Sequence, residues 1–551
     1  MITMNHNKYR KMYHPIPLEN REWPDKEITH APIWCSVDLR DGNQALYSPM
    51  TIDEKIEFFE FLVGLGFKEI EVGFPAASHT EFDFVRRLID ENRIPDDVTI
   101  QVLTQAREHI IKKTIESLKG CKNAIVHLYN STSTLQRDVV FHKNKEEIKQ
   151  LAIDGAKLVT SLVDNELDGN IRYEYSPESF TCTEMDYAVE VTNAVLDVLK
   201  PTPERKVIVN LPSTIEVATA NIYADQIEYM CKHITNRENV IISLHAHNDR
   251  GTGVGSTELA LLAGADRVEG TLLGNGERTG NTDIITVALN MFCQGIDPEL
   301  NLEHIDDVVS TFEKYNKIPV NPRHPYAGEM AYVAFSGSHQ DAIKKSMDAS
   351  HDAKIWANPY LTIDPSDIGR KYEPILINSQ SGKGGVSYIL ESKYGYILPK
   401  TMLVEFSSII NDMSDEKQTV LTNHEIHQAL KDLYVNVESP IKLKFYRSSH
   451  DEDKTVISAT IEYKGRITTV EGAGNGPLDA LCKGLRKTLD IPLEICEYTE
   501  HAKTRSSESL AVSYIAVKGD SDKLYWGIGI DANINTSSIY ALISAVDKML
   551  S

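Results

Sequence analysis

VIISLHAHNDRGTGVGSTELALLAGADRVEGTLL, residues 240–273, sets the pattern on which the fold turns. Two runs that read as strands, VIISLHAH (240–247) and DRVEGTLL (266–273), bracket a longer intervening segment. Runs of the same kind recur upstream: IWCSV, KEIEVG, VTIQVL, AIVHLY, IRYEYS and KVIVNL. Between them lie amphipathic stretches such as DEKIEFFEFLVGLG (53–66) and EFDFVRRLIDENR (81–93), whose apolar residues fall at helical spacing. Eight strand runs alternating with helices over about 240 residues predict an α/β fold of the (β/α)8 TIM-barrel type, with its site on the loops after the strand C-termini. A doubly wound open sheet is the rival, but it more often carries a glycine fingerprint after the first strand. Here the first strand runs into DLRDGNQAL (38–46) instead.

After residue 325 the alternation lapses. A mostly helical region follows, with SGSHQDAIKK, the glycine-rich NSQSGKGGVSYIL, and the helical runs MLVEFSSIINDMSD and NHEIHQALKDLY. From about 438 three strand runs precede the helix PLDALCKGLRKTL, and three more precede SSIYALISAVDKML. The strand-to-helix turns VEGAGNGPLDAL and GIDANINTSSIYAL occupy equivalent places, so a duplicated βββα unit is expected. The expected domains are a barrel with an N-terminal extension (1–325), helical linker subdomains (326–437) and a C-terminal α/β module (438–551). Such a module reads as a binding or assembly unit rather than a second catalytic centre.

The chain has 551 residues, and its 57 Lys and Arg against 80 Asp and Glu give a net charge of −23. That balance, with no basic run, argues against nucleic acid, whose binding needs clustered Lys and Arg. It argues equally against an anionic membrane. No apolar stretch approaches the roughly 18 residues of a membrane helix. The seven cysteines are scattered and form no CxxC pair, which disfavours a disulfide framework or a cysteine zinc site. The N-terminus MITMNHNKYRKMYHPIP lacks an apolar signal core, so the expected location is the cytoplasm.

Strand seven ends in His245-Ala246-His247, and residues two apart on a strand share a face. Two imidazoles aimed into one barrel mouth can share a metal ion. Asp41, just past strand one, and Asn281, in the loop after strand eight, converge on the same side of the mouth. Mixed imidazole and oxygen ligands admit zinc, magnesium or manganese. Four such ligands leave two positions, which a 2-oxo acid fills as a chelate through its keto and carboxylate oxygens. The ion then acts as a Lewis acid on the carbonyl. Arg40 can hold a guanidinium over the mouth to stabilise an oxyanion or enolate. Glu178 and His127, at the ends of strands five and four, read as acid–base groups or as substrate hydrogen-bonders. GNGERTGN (274–281) reads as a phosphate loop or as the tight path that brings Asn281 to the metal. SGKGG (381–385) is a solvated turn or an anion contact, without P-loop spacing.

DLRDGNQAL, SPESF, HAHNDRGTGVGSTELALLAGADRVEGTLLGNGERTGN, FSGSHQDAI and NSQSGKGG together resemble the 2-isopropylmalate synthase family, in its long form. The resemblance spans the chain from about residue 8 to 551. It implies a metal-dependent Claisen condensation of acetyl-CoA with 3-methyl-2-oxobutanoate, followed by thioester hydrolysis to 2-isopropylmalate and CoA, the committed step of leucine synthesis. It implies Asp41, His245 and His247 as metal ligands with Asn281 nearby, and Arg40 as stabiliser of the enolate and alkoxide. His339 and Tyr372 match the family's catalytic pair from the linker, with Glu178 polarising His339. His127, Ser176 and Thr214 match substrate contacts. Gly472, Gly474, Gly476, Ala532 and Asn533 match turns of a leucine-binding regulatory module, and the implied assembly is a homodimer. Homocitrate or citramalate synthase, with another 2-oxo acid, is the enzyme alternative. A leucine-sensing binding protein is the non-enzyme one.

Overall fold

The computed structural model describes residues 6–350, 355–372, 383–417, 421–451, 454–503 and 509–551. Eight parallel strands close into a barrel in sequential order: β1 (Ile33–Ser36), β2 (Glu69–Gly73), β3 (Thr99–Gln105), β4 (Asn123–Ser131), β5 (Asn170–Glu178), β6 (Val207–Ser213), β7 (Val240–Ala246) and β8 (Arg267–Gly270). Closure is made by β1 against β8, with Ile33 opposite Arg267 and Ser36 opposite Gly270. Every residue of β6 and β7 is buried, as expected of parallel strands covered on both faces.

The outer ring comprises α1 (Ile52–Leu65), α2 (His79–Asp90), α3 (Glu108–Ser117), α4 (Lys145–Glu166), α5 (Met185–Leu199), α6 (Ala220–His233), α7 (Gly253–Leu262) and α8 (Ile284–Phe292), followed by α9 (Ile305–Asn316). Local sequence fixes several of their ends. Thr51 and Glu54 form a reciprocal capping box at the start of α1, and Gly66 closes it at φ 104°. Asn144 and Glu147 repeat the box at α4, each cap being worth about 1 kcal/mol. The N-terminal extension is pinned to α6, where Arg21 and the Trp23 indole both reach Asp225.

Strand eight is shorter than the run 266–273. It stops at Gly270, where a Cβ would overlap the carbonyl oxygen of Thr282, and Leu272–Gly274 turn away in a short helical bend. His247 likewise lies one residue beyond β7, in an isolated antiparallel bridge to Asn281.

The chain divides into two compact units, residues 1–331 with 365–370, and residues 332–364 with 371–551. The second contains α10 (Gly337–Ser350), α11 (Lys383–Tyr394), α12 (Lys400–Lys417) and α13 (Asn423–Tyr434). The duplicated unit follows: β9 (Ile441–Asp451), β10 (Lys454–Tyr463), β11 (Arg466–Gly474) and α14 (Pro477–Leu489), then β12 (Glu494–Ala502), β13 (Ala511–Lys518), β14 (Tyr525–Asp531) and α15 (Ile534–Leu550). Each half is a three-stranded antiparallel sheet with its helix on one face. The shared core joins Ile457, Ile461 and Leu485 of the first half to Ile515, Val517 and Leu542 of the second. The other face of β13 and β14 is covered by α11, α12 and α13, around Tyr514, Trp526, Met402, Phe406 and Leu430. Among the described residues no helix is long and apolar enough to cross a membrane.

Candidate active site

A cavity of about 330 Å³ opens at the C-terminal ends of the strands, within the size range of small-molecule sites. Arg40, Asp41, His127, Ser176, Glu178, Thr214, His245 and His247 all line it, so these strand-end residues meet at one mouth. Asp41, His245 and His247 are buried, and each brings a ligand atom within 4.8 Å of the others. Asn281, also buried, faces His247 through their backbone bridge. Two acceptors are left over: His247 Nδ1 and Asn281 Oδ1 have no hydrogen-bond partner among the described residues. Orphaned lone pairs beside a buried carboxylate and a second imidazole are the donor set a divalent cation satisfies. The residues fit the ion.

The electrostatics separate the two histidines. Burial alone would lower His245, but Asp41 and Glu269 on either side of its ring outweigh it and raise the imidazole to about 9. Burial and the adjacent charge of His245 bring His247 down to about 4, so it offers a free lone pair at neutral pH. Burial opposes the charge on Asp41, yet Arg40 and His245 hold its carboxylate well below the usual range. Arg40 bridges Asp41 Oδ1 and Glu71 Oε2, both at 2.5 Å, which fixes its guanidinium at the mouth.

His127 Nε2 lies 2.7 Å from Ser176 Oγ, and its Nδ1 lies 2.8 Å from Glu71. Ser176 also accepts from Asn210 at 3.0 Å. Thr214 Oγ1 accepts from the Ser179 amide at 2.9 Å, which leaves its hydroxyl proton for another partner. Glu178 accepts from Ser131. Phe74, Leu103, Tyr129 and Pro212 supply the apolar wall. The remaining mouth cation, Arg278, is tied to Asp249 at 2.8 Å and to the carbonyl of Thr214.

The glycines of GNGERTGN are accounted for by chain path. Gly276 and Gly280 have φ of 149° and 93°; a Cβ at the first would press on the Asn281 side chain and at the second would overlap the carbonyl of Gly274. Only glycine lets the loop double back and deliver Asn281.

Beneath the mouth lies a layer absent from the expectations above. Glu69, Glu71, Gln101, Glu174, Arg267 and Glu269 are all buried and interlinked. Their signal was present as charged pairs two residues apart on strand runs: Glu69 and Glu71 in KEIEVG, Arg172 and Glu174 in IRYEYS, Arg267 and Glu269 in DRVEGTLL. Alternation on a strand buried on both faces sends such pairs into the barrel interior. The same layer holds a second close trio, His127, Glu174 and Glu269. Burial and the charge of Glu269 push Glu174 well above the usual carboxyl range.

His339 and Tyr372 belong to the second unit. His339 is exposed on α10 and stacks on Tyr360 with centroids 4.1 Å apart. Tyr372 Oη has no hydrogen-bond partner among the described residues, and burial, with Tyr388 nearby, pushes its phenol up to about 12. In SGKGG, Ser381 and Gly382 lie outside the described residues, and Lys383 opens α11.

In the duplicated module Gly472 and Gly474 face α14, where a Cβ would overlap the carbonyl of Ala480 and the Asp479 carboxylate respectively. Gly527 and Gly529 do the same against α15, a correspondence the sequence reading missed. Gly476 has open space around it and is the N-cap of α14, with Pro477 next. Ala532 is exposed in the turn before α15, and Asn533 caps that helix by accepting from the amides of Asn535 and Thr536.

Residues 31–311 match a family model described as HMGL-like, 329–391 one described as alpha-isopropylmalate synthase, post-catalytic domain-like, and 420–550 one described as LeuA allosteric (dimerisation) domain. A 2-isopropylmalate synthase from Clostridium acetobutylicum is 54% identical, over 99% of this chain and 99% of its own. One from Acetoanaerobium sticklandii is 52% identical, over 99% of this chain and 97% of its own. A solved hydroxymethylglutaryl-CoA lyase from Pseudomonas aeruginosa, 17% identical, covers 55% of this chain and 98% of its own, with a TM-score of 0.45. With identity above half along its whole length, the chain belongs to the 2-isopropylmalate synthase family.

Proposed function

We infer that the chain is a 2-isopropylmalate synthase, an acyltransferase that joins acetyl-CoA to 3-methyl-2-oxobutanoate and hydrolyses the thioester to release 2-isopropylmalate and CoA. One observation carries the reading: the buried Asp41, His245 and His247 set, with orphaned acceptors on His247 and Asn281, stands at the mouth of a barrel in a chain that matches enzymes of that name end to end.

A divalent ion held by Asp41, His245 and His247, with Asn281 beside them, supplies a Lewis acid toward the keto group when bound. The residues do the rest. Arg40, already fixed by Asp41 and Glu71, presents a permanent positive charge to oxygen as it becomes negative in the enolate and then in the adduct. Thr214 offers its free hydroxyl proton to the carboxylate of the oxo acid, and His127 with Ser176 forms the facing polar wall. The acetyl methyl loses a proton, its carbon bonds the keto carbon, and the keto oxygen gains a proton. Water then cleaves the thioester, leaving a carboxylate and the CoA thiol. His339 is assigned as the base, with Glu178 polarising it, and Tyr372 as a phenol donor that stays protonated at neutral pH.

The choice of acceptor follows from the lining. Phe74, Leu103 and Pro212 suit a small branched apolar group. A second carboxylate, as in 2-oxoglutarate, needs an uncommitted cation, yet among the described residues lining the cavity the cations Arg40 and Arg278 are both already paired with acids. For the C-terminal module we assign leucine as effector and dimer formation between copies, supported by the match to an allosteric (dimerisation) domain. A cytoplasmic location fits a biosynthetic role. The proposed division remains 1–325, 326–437 and 438–551.

The test is an oxo acid panel. Thiol release is expected only when acetyl-CoA, a divalent metal and 3-methyl-2-oxobutanoate are all present. Equal or faster release with 2-oxoglutarate or pyruvate would overturn the acceptor assignment, and leucine binding without any turnover would favour a sensor.

A further inference from the structure

The three mouth residues assigned to different tasks, His245 to the metal, His127 to the oxo acid and Arg40 to the developing oxyanion, all rest on one buried layer. His245 Nδ1 donates to Glu269 Oε2 at 2.8 Å. His127 Nδ1 donates to Glu71 Oε1 at 2.8 Å, and Arg40 Nε to Glu71 Oε2 at 2.5 Å. A carboxylate can only accept, so each histidine contact places the proton on the imidazole Nδ1 and turns Nε2 toward the mouth. Glu71 and Glu269 therefore set the aim of all three.

These carboxylates repel one another in a buried interior, where charge is poorly screened. Between them stands Gln101, itself fully buried, whose Nε2 donates to Glu269 Oε1 at 2.9 Å and to Glu71 Oε1 at 3.2 Å. Its orientation is not free. Arg267 NH2 donates to Gln101 Oε1 at 2.8 Å, and an arginine has nothing but donors, so the amide oxygen must face Arg267 and the NH2 group must face the acids. Arg267 is in turn held by Glu69 and by Glu269.

We propose that Gln101 is a positioning residue: its amide, clamped by Arg267, spaces Glu71 and Glu269 and through them sets His245 on the metal side together with His127 and Arg40 on the substrate side. The inference rests on the metal-dependent condensation reading, and it makes a claim that independent supports would not make. A single substitution at Gln101, which lies below the mouth and does not line the cavity, disturbs metal and oxo acid together.

The experiment uses the full-length protein with Gln101→Met, which keeps shape and loses the amide, and Gln101→Glu, which keeps an acceptor for Arg267. Affinity for Mn2+ alone is read from the paramagnetic resonance of the free ion, and KM for 3-methyl-2-oxobutanoate is read at saturating Mn2+. For Gln101→Met the Mn2+ Kd and the KM are both expected to rise about tenfold or more, the size of effect that groups supporting metal ligands produce. In Gln101→Glu the new carboxyl, when protonated, can donate to one acid only, so this variant is expected to shift both less. A merely structural role would lower the unfolding midpoint and leave Kd unmoved, which overturns the proposal, as does a KM within twofold of the parent. Should Gln101→Met fail to fold, Gln101→Glu faces the same requirement that both quantities rise more than twofold. The Mn2+ titration needs no turnover, so a failure here is distinguishable from a failure of the assigned reaction.

Discussion

The barrel interior and the C-terminal repeat solve burial in opposite ways. The barrel encloses Glu69, Glu71, Glu174 and Glu269 with Arg267, and that is made tolerable by hydrogen bonds to Glu69, Glu71 and Glu269 and by the approach of Arg267 to Glu174. The repeat buries Ile, Leu, Val and Ala side chains, and it brings strand and helix so close that glycine is required at Gly472, Gly474, Gly527 and Gly529. In one region precision comes from side chains holding side chains. In the other it comes from backbone meeting backbone. Chemistry needs oriented charge and lives in the first. A module that senses or assembles needs a firm apolar body, and the second supplies one.

Four measurements probe the contrast. The largest effect is expected from His247→Ala, which removes the orphaned lone pair that we assign to the metal. Turnover should fall on the order of a thousandfold, since Lewis-acid stabilisation is worth several kcal/mol, while the unfolding midpoint holds. Substantial activity in the variant, or in protein stripped of metal, would remove the metal from the reaction.

Arg267→Met tests the buried layer as a charge balance. Losing the cation that touches Glu69, Glu174 and Glu269 should cost about 3–5 kcal/mol of stability in denaturant unfolding, the range for breaking a buried pair. A loss under about 1 kcal/mol would mean that the acids are balanced some other way. In the repeat, Gly529→Val forces a side chain into the carbonyl of Ser537, and overpacking of this kind costs about 1–3 kcal/mol. Calorimetry should show a lower transition with basal turnover kept by the folded fraction; an unchanged transition would mean that the strand and helix can part freely.

The smallest effect concerns an acid buried in the repeat. Asp547 on α15 accepts from the amide of Ile441, and burial pushes its carboxyl up to about 7. The folded state thus favours the protonated form, so its contribution is full below the unfolded value and is lost as pH rises toward 7. The stability of the parent relative to Asp547→Asn should decline between about pH 4 and pH 7 and level off above. A flat difference would mean that the carboxyl is hydrated and the repeat is wetter than its packing indicates.

The burial contrast also governs what could be read from the chain. In β10 the sequence KTVISATIEY alternates, and its outer face is open, with Val456 and, on the neighbouring strands, Phe445 and Ile467 exposed. In β13 the sequence AVSYIAVK is apolar nearly throughout, and that strand is covered on both faces. The duplication was legible from strand and helix order, while the difference in covering was legible only in this second-order pattern. The helices PLDALCKGLRKTL and NHEIHQALKDLY match α14 and α13 end for end, because Pro477 and the Thr422 cap mark their starts. Strand eight is shorter than its apolar run, because TLL is apolar whether it continues a strand or bends beneath the Asn281 loop.

That loop marks the border between local and long-range information. The eight-fold alternation, the duplicated tail and the residue types at the strand ends were written in the order of residues, since each depends on side-chain period, capping and turn chemistry within a few positions. Folding alone leaves His247 and Asn281 with unspent lone pairs, gives His245 and His247 opposite proton affinities, and sets Gln101 between two carboxylates. These depend on groups from β2, β3, β7 and β8 meeting in a closed and buried interior, where a neighbour about 3 Å away across the barrel matters more than any neighbour in the chain.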